Sequence, residues 1–388
     1  MGKTPALVRA PGRVNLIGEH IDYCGLSVLP MAVQRNVRMV FHPRTDREVR
    51  LVNRDPGFGP STFTLSETIP PAPAGDWGNY ARAAAQALVP RFGALRGLDA
   101  QVESDLPIAA GLSSSSALVV ATALAILHAN GVTMAPPDLL DLMDLLARGE
   151  RYVGTAGGGM DQSIILGAQP GCASRIDFHP LRLTPTRLPD DWRFIVAWSL
   201  VQAEKSGAAR QAYNERPRQC DEARRLVAAR LGQREDTSYP ALLAAAPVAK
   251  LLELASTTLS GVLAKRFRHV VTEGARVRQA EAAMGRGDLA AFGLLLDASH
   301  QSLRDDYEVS HPELDLLVQL AREAGAAGAR LTGAGFGGSI VALCPAARAT
   351  EVLRVLEARF YAPRGAAGAV GRYAFAAEAS GGAEVMRA

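Results

Sequence analysis

The sequence predicts a two-domain α+β chain, and three observations carry that expectation. At 388 residues the chain is long for a single core. Its first third is rich in short β-branched runs between turn residues, whereas most of its second half reads as amphipathic helix. A turn-like Leu188-Pro189-Asp190-Asp191 separates the two regimes, which places residues 1–192 in one domain and 193–388 in the other.

Element by element, Leu7-Val8-Arg9 opens as a strand, 28–41 has the β-branched content of a strand pair, and 49–52 and 61–65 add two more strands. The Pro-rich 69–75 is a loop, 77–89 is a helix ending near Pro90, and 98–104 is a strand feeding a serine-rich turn. Helices follow at 114–128 and 137–151, the second favoured at its start by Asp138, Asp141 and Asp144. After the boundary come a strand at 194–198 and helices at 207–231, 240–254, 266–286, 288–306 and 312–324. Ala329-Arg330-Leu331, a glycine cluster and a strand at 339–344 follow, with a surface loop at 364–370.

Composition excludes several classes of function. The net charge is only +3 and no basic stripe is interleaved with aromatics, so nucleic acid is not an expected partner. Four cysteines lie far apart and seven histidines are scattered without metal-ligand spacing, which fits reduced thiols and no dedicated transition-metal site. The N-terminus has no signal-peptide core, and the most apolar run, 117–129, is too short to span a bilayer. A cytoplasmic protein without a membrane partner is expected, as a monomer.

Three dense motifs remain. Asp105-Leu106-Pro107-Ile108-Ala109-Ala110-Gly111-Leu112-Ser113-Ser114-Ser115-Ser116 opens an apolar helix. The first amides of a helix lack internal partners and its dipole favours an anion, so this turn suits phosphate, although Ser at that position also suits an ordinary N-cap. Ala10 to Tyr23 gathers Arg13, Glu19, His20 and Asp22 among apolar and glycine neighbours, a donor and acceptor set suited to a polyol. Gly157-Gly158-Gly159-Met160-Asp161-Gln162 sets one carboxylate on a tight backbone, as a general base or as an organiser of a loop. Gly333-Ala334-Gly335-Phe336-Gly337-Gly338 matches G-x-G-x-x-G literally, but a strand follows where a dinucleotide site needs a helix. The only lysines are Lys3, Lys205, Lys250 and Lys265, none in a glycine-rich segment, which excludes a Walker A mechanism. Lys205, near a strand end, is either a surface lysine or a functional one.

Together the motifs resemble the GHMP small-molecule kinases, and the first resembles galactokinases in particular. Asp76-Trp77-Gly78-Asn79-Tyr80, Tyr213-Asn214-Glu215-Arg216 and Ser302 to Ser310 extend the resemblance over nearly the whole chain. It implies an N-terminal domain with a mixed sheet and a left-handed β-α-β crossover, a ferredoxin-like C-terminal domain, and a sugar and ATP cleft between them. It also implies that Glu19, His20, Asp22 and Tyr213 bind the sugar, with Asp161 the catalytic carboxylate at the anomeric hydroxyl and Arg13 steadying phosphoryl charge. Gly111, Ser113, Ser114 and Ser115 would hold ATP phosphates, Ser115 and Glu150 would ligate Mg²⁺, and Lys205 would pair with Asp161. Ala109, Ser116 and His311 depart from common family residues, and the segment before the first motif is short for the family. Ile21-Asp22-Tyr23-Cys24-Gly25 and Glu150-Arg151-Tyr152-Val153-Gly154 resemble the N-acetylgalactosamine kinase branch. The expectation is phosphorylation of the C1 hydroxyl of D-galactose, with N-acetylgalactosamine as the alternative acceptor and a catalytically silent sugar sensor as the minor alternative.

Overall fold

The polar first motif begins as a strand. The computed structural model describes residues 5–154, 157–202 and 207–387. In it β1 (Ala6–Ile17) buries Val8, Ala10, Val14 and Leu16 completely, and Arg13 and Asn15 are also inside. It pairs antiparallel with β2 (Leu29–Pro43). With β3 (Glu48–Asn53), β4 (Ser61–Thr64), β5 (Leu98–Ser104) and β12 (Glu384–Arg387) they form a six-stranded sheet of order β12-β1-β2-β5-β3-β4. Only β3 and β5 run parallel, because α1 (Gly78–Phe92) occupies the crossover before β5. α2 (Ser114–Ala129) is apolar almost all round and packs on β1 and β2, between α1 and α4 (Met160–Gly167). α3 (Pro136–Gly149) lies against α1 and α4.

The second sheet uses β8 (Trp192–Trp198), β9 (Gly328–Thr332), β10 (Ser339–Pro345) and β11 (Ala374–Ala377) in the antiparallel order β11-β8-β10-β9. In chain order these are the fourth, first, third and second strands, the ferredoxin-like arrangement. Between β8 and β9 come α5 (Gly207–Arg230), α6 (Tyr239–Ala245), α7 (Val248–Thr258), α8 (Gly261–Gly285), α9 (Leu289–Asp305) and α10 (Pro312–Glu323). α11 (Ala349–Leu356) precedes β11. Among the described residues no single helix is long and apolar enough to cross a membrane.

Several expectations need correction. The strand pair expected over 28–41 is the single strand β2. Its polar centre does not turn because partners reach it in place. Gln34 Nε2 donates to Ala376 O, Arg35 donates to Gly371 O and Arg372 O, and Arg35 lies 3.8 Å over the Phe375 ring. The helix expected over 240–254 is two helices, α6 and α7, meeting at 111° where Pro247 interrupts. α1 carries Pro90 inside its last turn instead of stopping before it. The hairpin of β6 (Cys172–Phe178) and β7 (Leu181–Arg187), α4, α11 and β12 were not expected, although α11 is amphipathic, with Val352 and Leu356 buried on one face. β12 crosses back from the far end of the chain to extend the first sheet through β1.

Candidate active site

The carboxylate of Asp161 collects partners from β1 and from the serine turn that opens α2. It lies in the first turn of α4, behind the left-handed N-cap Gly159 (φ +101°), so the positive end of the helix faces it. Arg13, on β1, donates Nε to its Oδ1 at 2.7 Å and Nη1 to Gly111 O at 2.6 Å. Ser113 Oγ donates to Oδ2, and Ser116 Oγ lies 3.4 Å from the same oxygen. Ser113 is the N-cap residue of α2 in the left-handed region (φ +57°), yet its hydroxyl makes no cap bond. Of the two readings left open by the sequence, the cap is therefore not used. The first amides of α2 belong to the end of the helix where the dipole favours an anion.

The serine turn is braced from both sides. Arg13 N donates to Leu112 O at 3.1 Å, and Ser339 Oγ donates to Ala110 O at 2.7 Å. Gly111 (φ +77°) lies so close to the third glycine segment that a Cβ on Gly333 would come within 2.8 Å of Gly111 O. That segment is a β9–β10 hairpin loop, which removes the dinucleotide reading of its G-x-G-x-x-G.

The polyol motif turns inward directly after β1. Glu19 and His20 are 3% and 5% exposed, and His20 has φ +61°, rare for a residue with a side chain. The second half of the chain holds this turn. Glu273, on α8, accepts from Gly18 N at 2.9 Å and Glu19 N at 3.3 Å, and His269 Nε2 meets Glu19 O at 3.0 Å. Fully buried Arg330, on β9, pairs with Glu19 Oε2 and donates to Asn15 O and Leu16 O at 2.8 Å. Despite burial, Arg276 and its neighbours pull Glu273 down to about 2. Burial drives His269 down to about 4.

Asp22 sits in the short helical turn Asp22–Cys24, and its Oδ2 accepts from Gly158 N at 3.1 Å. Burial, then the charges of Asp161 and Glu19, push Asp22 up to about 6. Tyr213, on α5, is pushed well above the ordinary phenol range by burial and by Asp22, Asp161, Glu19 and Glu150. Its ring centroid is 5.7 Å from His20 and 6.4 Å from Tyr23. Burial opposes the charge of Arg13, but Asp161, with Glu19 and Asp22, overcomes it and raises its pKa.

Thus Arg13, Glu19, His20, Asp22, Asp161 and Tyr213 converge, with Gly111 and Ser113 at their edge. Lys205 lies outside the described residues. Glu150 is buried beneath the turn, where Ser116 Oγ donates to its Oε1 at 2.6 Å. Sequence reasoning missed Arg330, Glu273, His269 and Tyr307. A lone Arg in the apolar run of β9 was a usable signal, whereas charges on amphipathic α8 resemble solvated ones.

The galactokinase galactose-binding signature matches residues 1–43, the GHMP kinases N-terminal domain matches 79–168, and the GHMP kinases C-terminal domain matches 280–362. A galactokinase of Chloroflexus aggregans is 38% identical over 373 residues, covering 92% of this chain and 89% of its own. One of a Roseiflexus species is 39% identical over 341 residues, covering 87% and 83%. The crystal structure of Lactococcus lactis galactokinase complexed with galactose matches at a TM-score of 0.86 and 28% identity, over 98% of this chain and 95% of that one.

Proposed function

Because this chain belongs to the galactokinases of the GHMP kinase family, we propose that it phosphorylates the C1 hydroxyl of D-galactose with ATP, releasing galactose 1-phosphate and ADP. The observation that carries this reading is the Asp161 carboxylate, held by Arg13 and Ser113 where the serine turn meets the polyol motif. Phosphoryl transfer depends chiefly on in-line placement and charge stabilisation. Glu19, Asp22 and Tyr213 would hold the sugar hydroxyls, with His20 as part of the pocket wall. Asp161 would orient the anomeric hydroxyl and take its proton. Arg13 would steady the transferring group, and Lys205 would pair with Asp161. The α2 amides and the Gly111 and Ser113 to Ser115 backbone would receive the ATP phosphates.

Mg²⁺ fits the donor set: Glu150 offers a buried carboxylate and Ser115 a hydroxyl, both hard oxygen donors. When bound, it would neutralise phosphate charge. A cytoplasmic monomer is part of the same proposal.

The test is ATP turnover with galactose and N-acetylgalactosamine, with the phosphate position read by NMR. Galactose 1-phosphate is expected as the main product, and Asp161→Asn should lower kcat by roughly 10²–10⁴-fold while galactose still binds. A main product from N-acetylgalactosamine would favour the branch that Ile21-Asp22-Tyr23-Cys24-Gly25 resembles. Undiminished turnover in the variant would remove Asp161 from its role.

A further inference from the structure

His20 stands in the wall of the proposed cleft with both ring nitrogens already engaged. Nε2 lies 3.1 Å from Ala334 O, and Nδ1 lies 2.9 Å from the Tyr23 hydroxyl. A carbonyl can only accept, so the hydrogen must sit on Nε2. Burial keeps the ring neutral at physiological pH by pushing it down to about 3, which leaves Nδ1 as a bare lone pair. Tyr23 must then donate to Nδ1, and its one proton is spent there. At 2.7 Å from Tyr23, the Tyr307 hydroxyl must therefore be the donor of that pair. The Cys220 sulfur lies 3.1 Å from the Tyr307 oxygen. From Tyr307 on, each bond has one permitted direction, running Tyr307 to Tyr23 to His20 to Ala334.

The chain crosses the molecule. Tyr23 and His20 come from the first half, Cys220 from α5, Tyr307 from the turn after α9, and Ala334 from the β9–β10 loop. Tyr307 and Cys220 are 0% and 1% exposed, so no solvent competes for the inner bonds. The Tyr307 ring lies between His20 (4.9 Å) and His269 (4.4 Å), which blocks rotation of the hydroxyl carrier. At the far end, the Ala334 loop abuts Gly111 of the serine turn through Gly333.

We infer that Tyr23 and Tyr307 are positioning residues that lock His20 in its neutral Nε2–H tautomer, fixing the sugar-side wall against the loop that supports the phosphate turn. The opposite tautomer would set the Nε2 lone pair against the Ala334 carbonyl and the Nδ1 hydrogen toward the Tyr23 hydroxyl. The inference rests on the sugar cleft proposed above, but its first readout needs no sugar.

The experiment is long-range ¹H–¹⁵N NMR of the histidine side chains in the full chain without ligands, with His20→Gln assigning the resonance. The Nε2–H pattern is expected at pH 7. Tyr23→Phe should move the His20 Nδ1 resonance toward that of an unbonded lone pair, and Tyr307→Phe should move it less. In steady-state assays Tyr23→Phe should raise the galactose KM about 10-fold with kcat changed less than about 3-fold, and Tyr307→Phe should raise KM by a smaller factor. An Nδ1–H or charged ring in the wild type would overturn the inference, as would a larger effect on the His20 shifts from Tyr307→Phe than from Tyr23→Phe. An Nε2–H pattern in a protein that does not phosphorylate galactose would uphold the lock and remove the sugar reading instead.

Discussion

Asp22 shows how one residue is set against itself in the sugar-free protein. Its pKa is pushed from 3.8 to about 6, chiefly by burial and then by Asp161 and Glu19. A raised carboxyl pKa favours folding while the group is protonated, so its contribution is fully present below about pH 4 and is lost as pH rises through about 6. Asp22→Asn should therefore stabilise the sugar-free protein by about 1–3 kcal/mol at pH 8 and by nothing at pH 4, measured by denaturant titration at both values. In catalysis the sign reverses. The ionised carboxylate is the better hydroxyl acceptor, so galactose KM should fall about 10-fold between pH 5 and pH 7.5. That slope should vanish in Asp22→Asn, and a wild-type KM flat over this range would take Asp22 out of sugar binding.

At the scale of elements, the site depends on backbone approaches that admit no side chain. Gly158 N donates to Asp22, and a Cβ at Gly158 would lie 2.3 Å from Asp22 C and Tyr23 N. Gly157 is in the same run, yet a Cβ there would meet nothing within 4 Å. Gly158→Ala should raise galactose KM by at least about 10-fold through displacement of the Asp22–Cys24 turn, since ångström-scale misplacement costs roughly 10²-fold in rate. Gly157→Ala should leave KM within about 2-fold, and equal KM values for the two would show that the close approach is not what holds Asp22. The same logic explains what periodicity could not reveal. Ser113 has the residue type and place of a cap, but the left-handed backbone turns its hydroxyl to Asp161. Local sequence does not encode that redirection, because its partner is 48 residues away.

At the scale of the whole molecule, the two halves are joined by buried charge and by a returning strand. Arg330, 0% exposed, is the partner of Glu19 across the halves. Breaking a buried pair by removing one member leaves an uncompensated charge, which costs about 3–5 kcal/mol. Arg330→Ala should lower stability by that amount in calorimetry and shift the melting of the whole chain rather than of one half. A loss confined to a second, separate transition would show that the halves unfold independently of this pair. β12 on β1 adds a backbone link in the same sense, with Arg9 paired to Glu384.

The sequence by itself determined the α+β class, most element positions, and the residue types of the three motifs, because helix and strand periods, glycine turns and dense polar runs are local signals. It also grouped Arg13, Glu19, His20 and Asp22 by their close spacing, and joined Asp161 and Tyr213 to them through family resemblance. Only the tertiary structure decided that β2 continues through its polar centre, that β12 returns to the first sheet, and that Arg330, Glu273 and His269 hold the turn after β1. The hydrogen directions at His20 were decided there too. The physical reason is the same in each case. A polar group in the interior is defined by the partner that satisfies it, and here those partners lie hundreds of residues away along the chain.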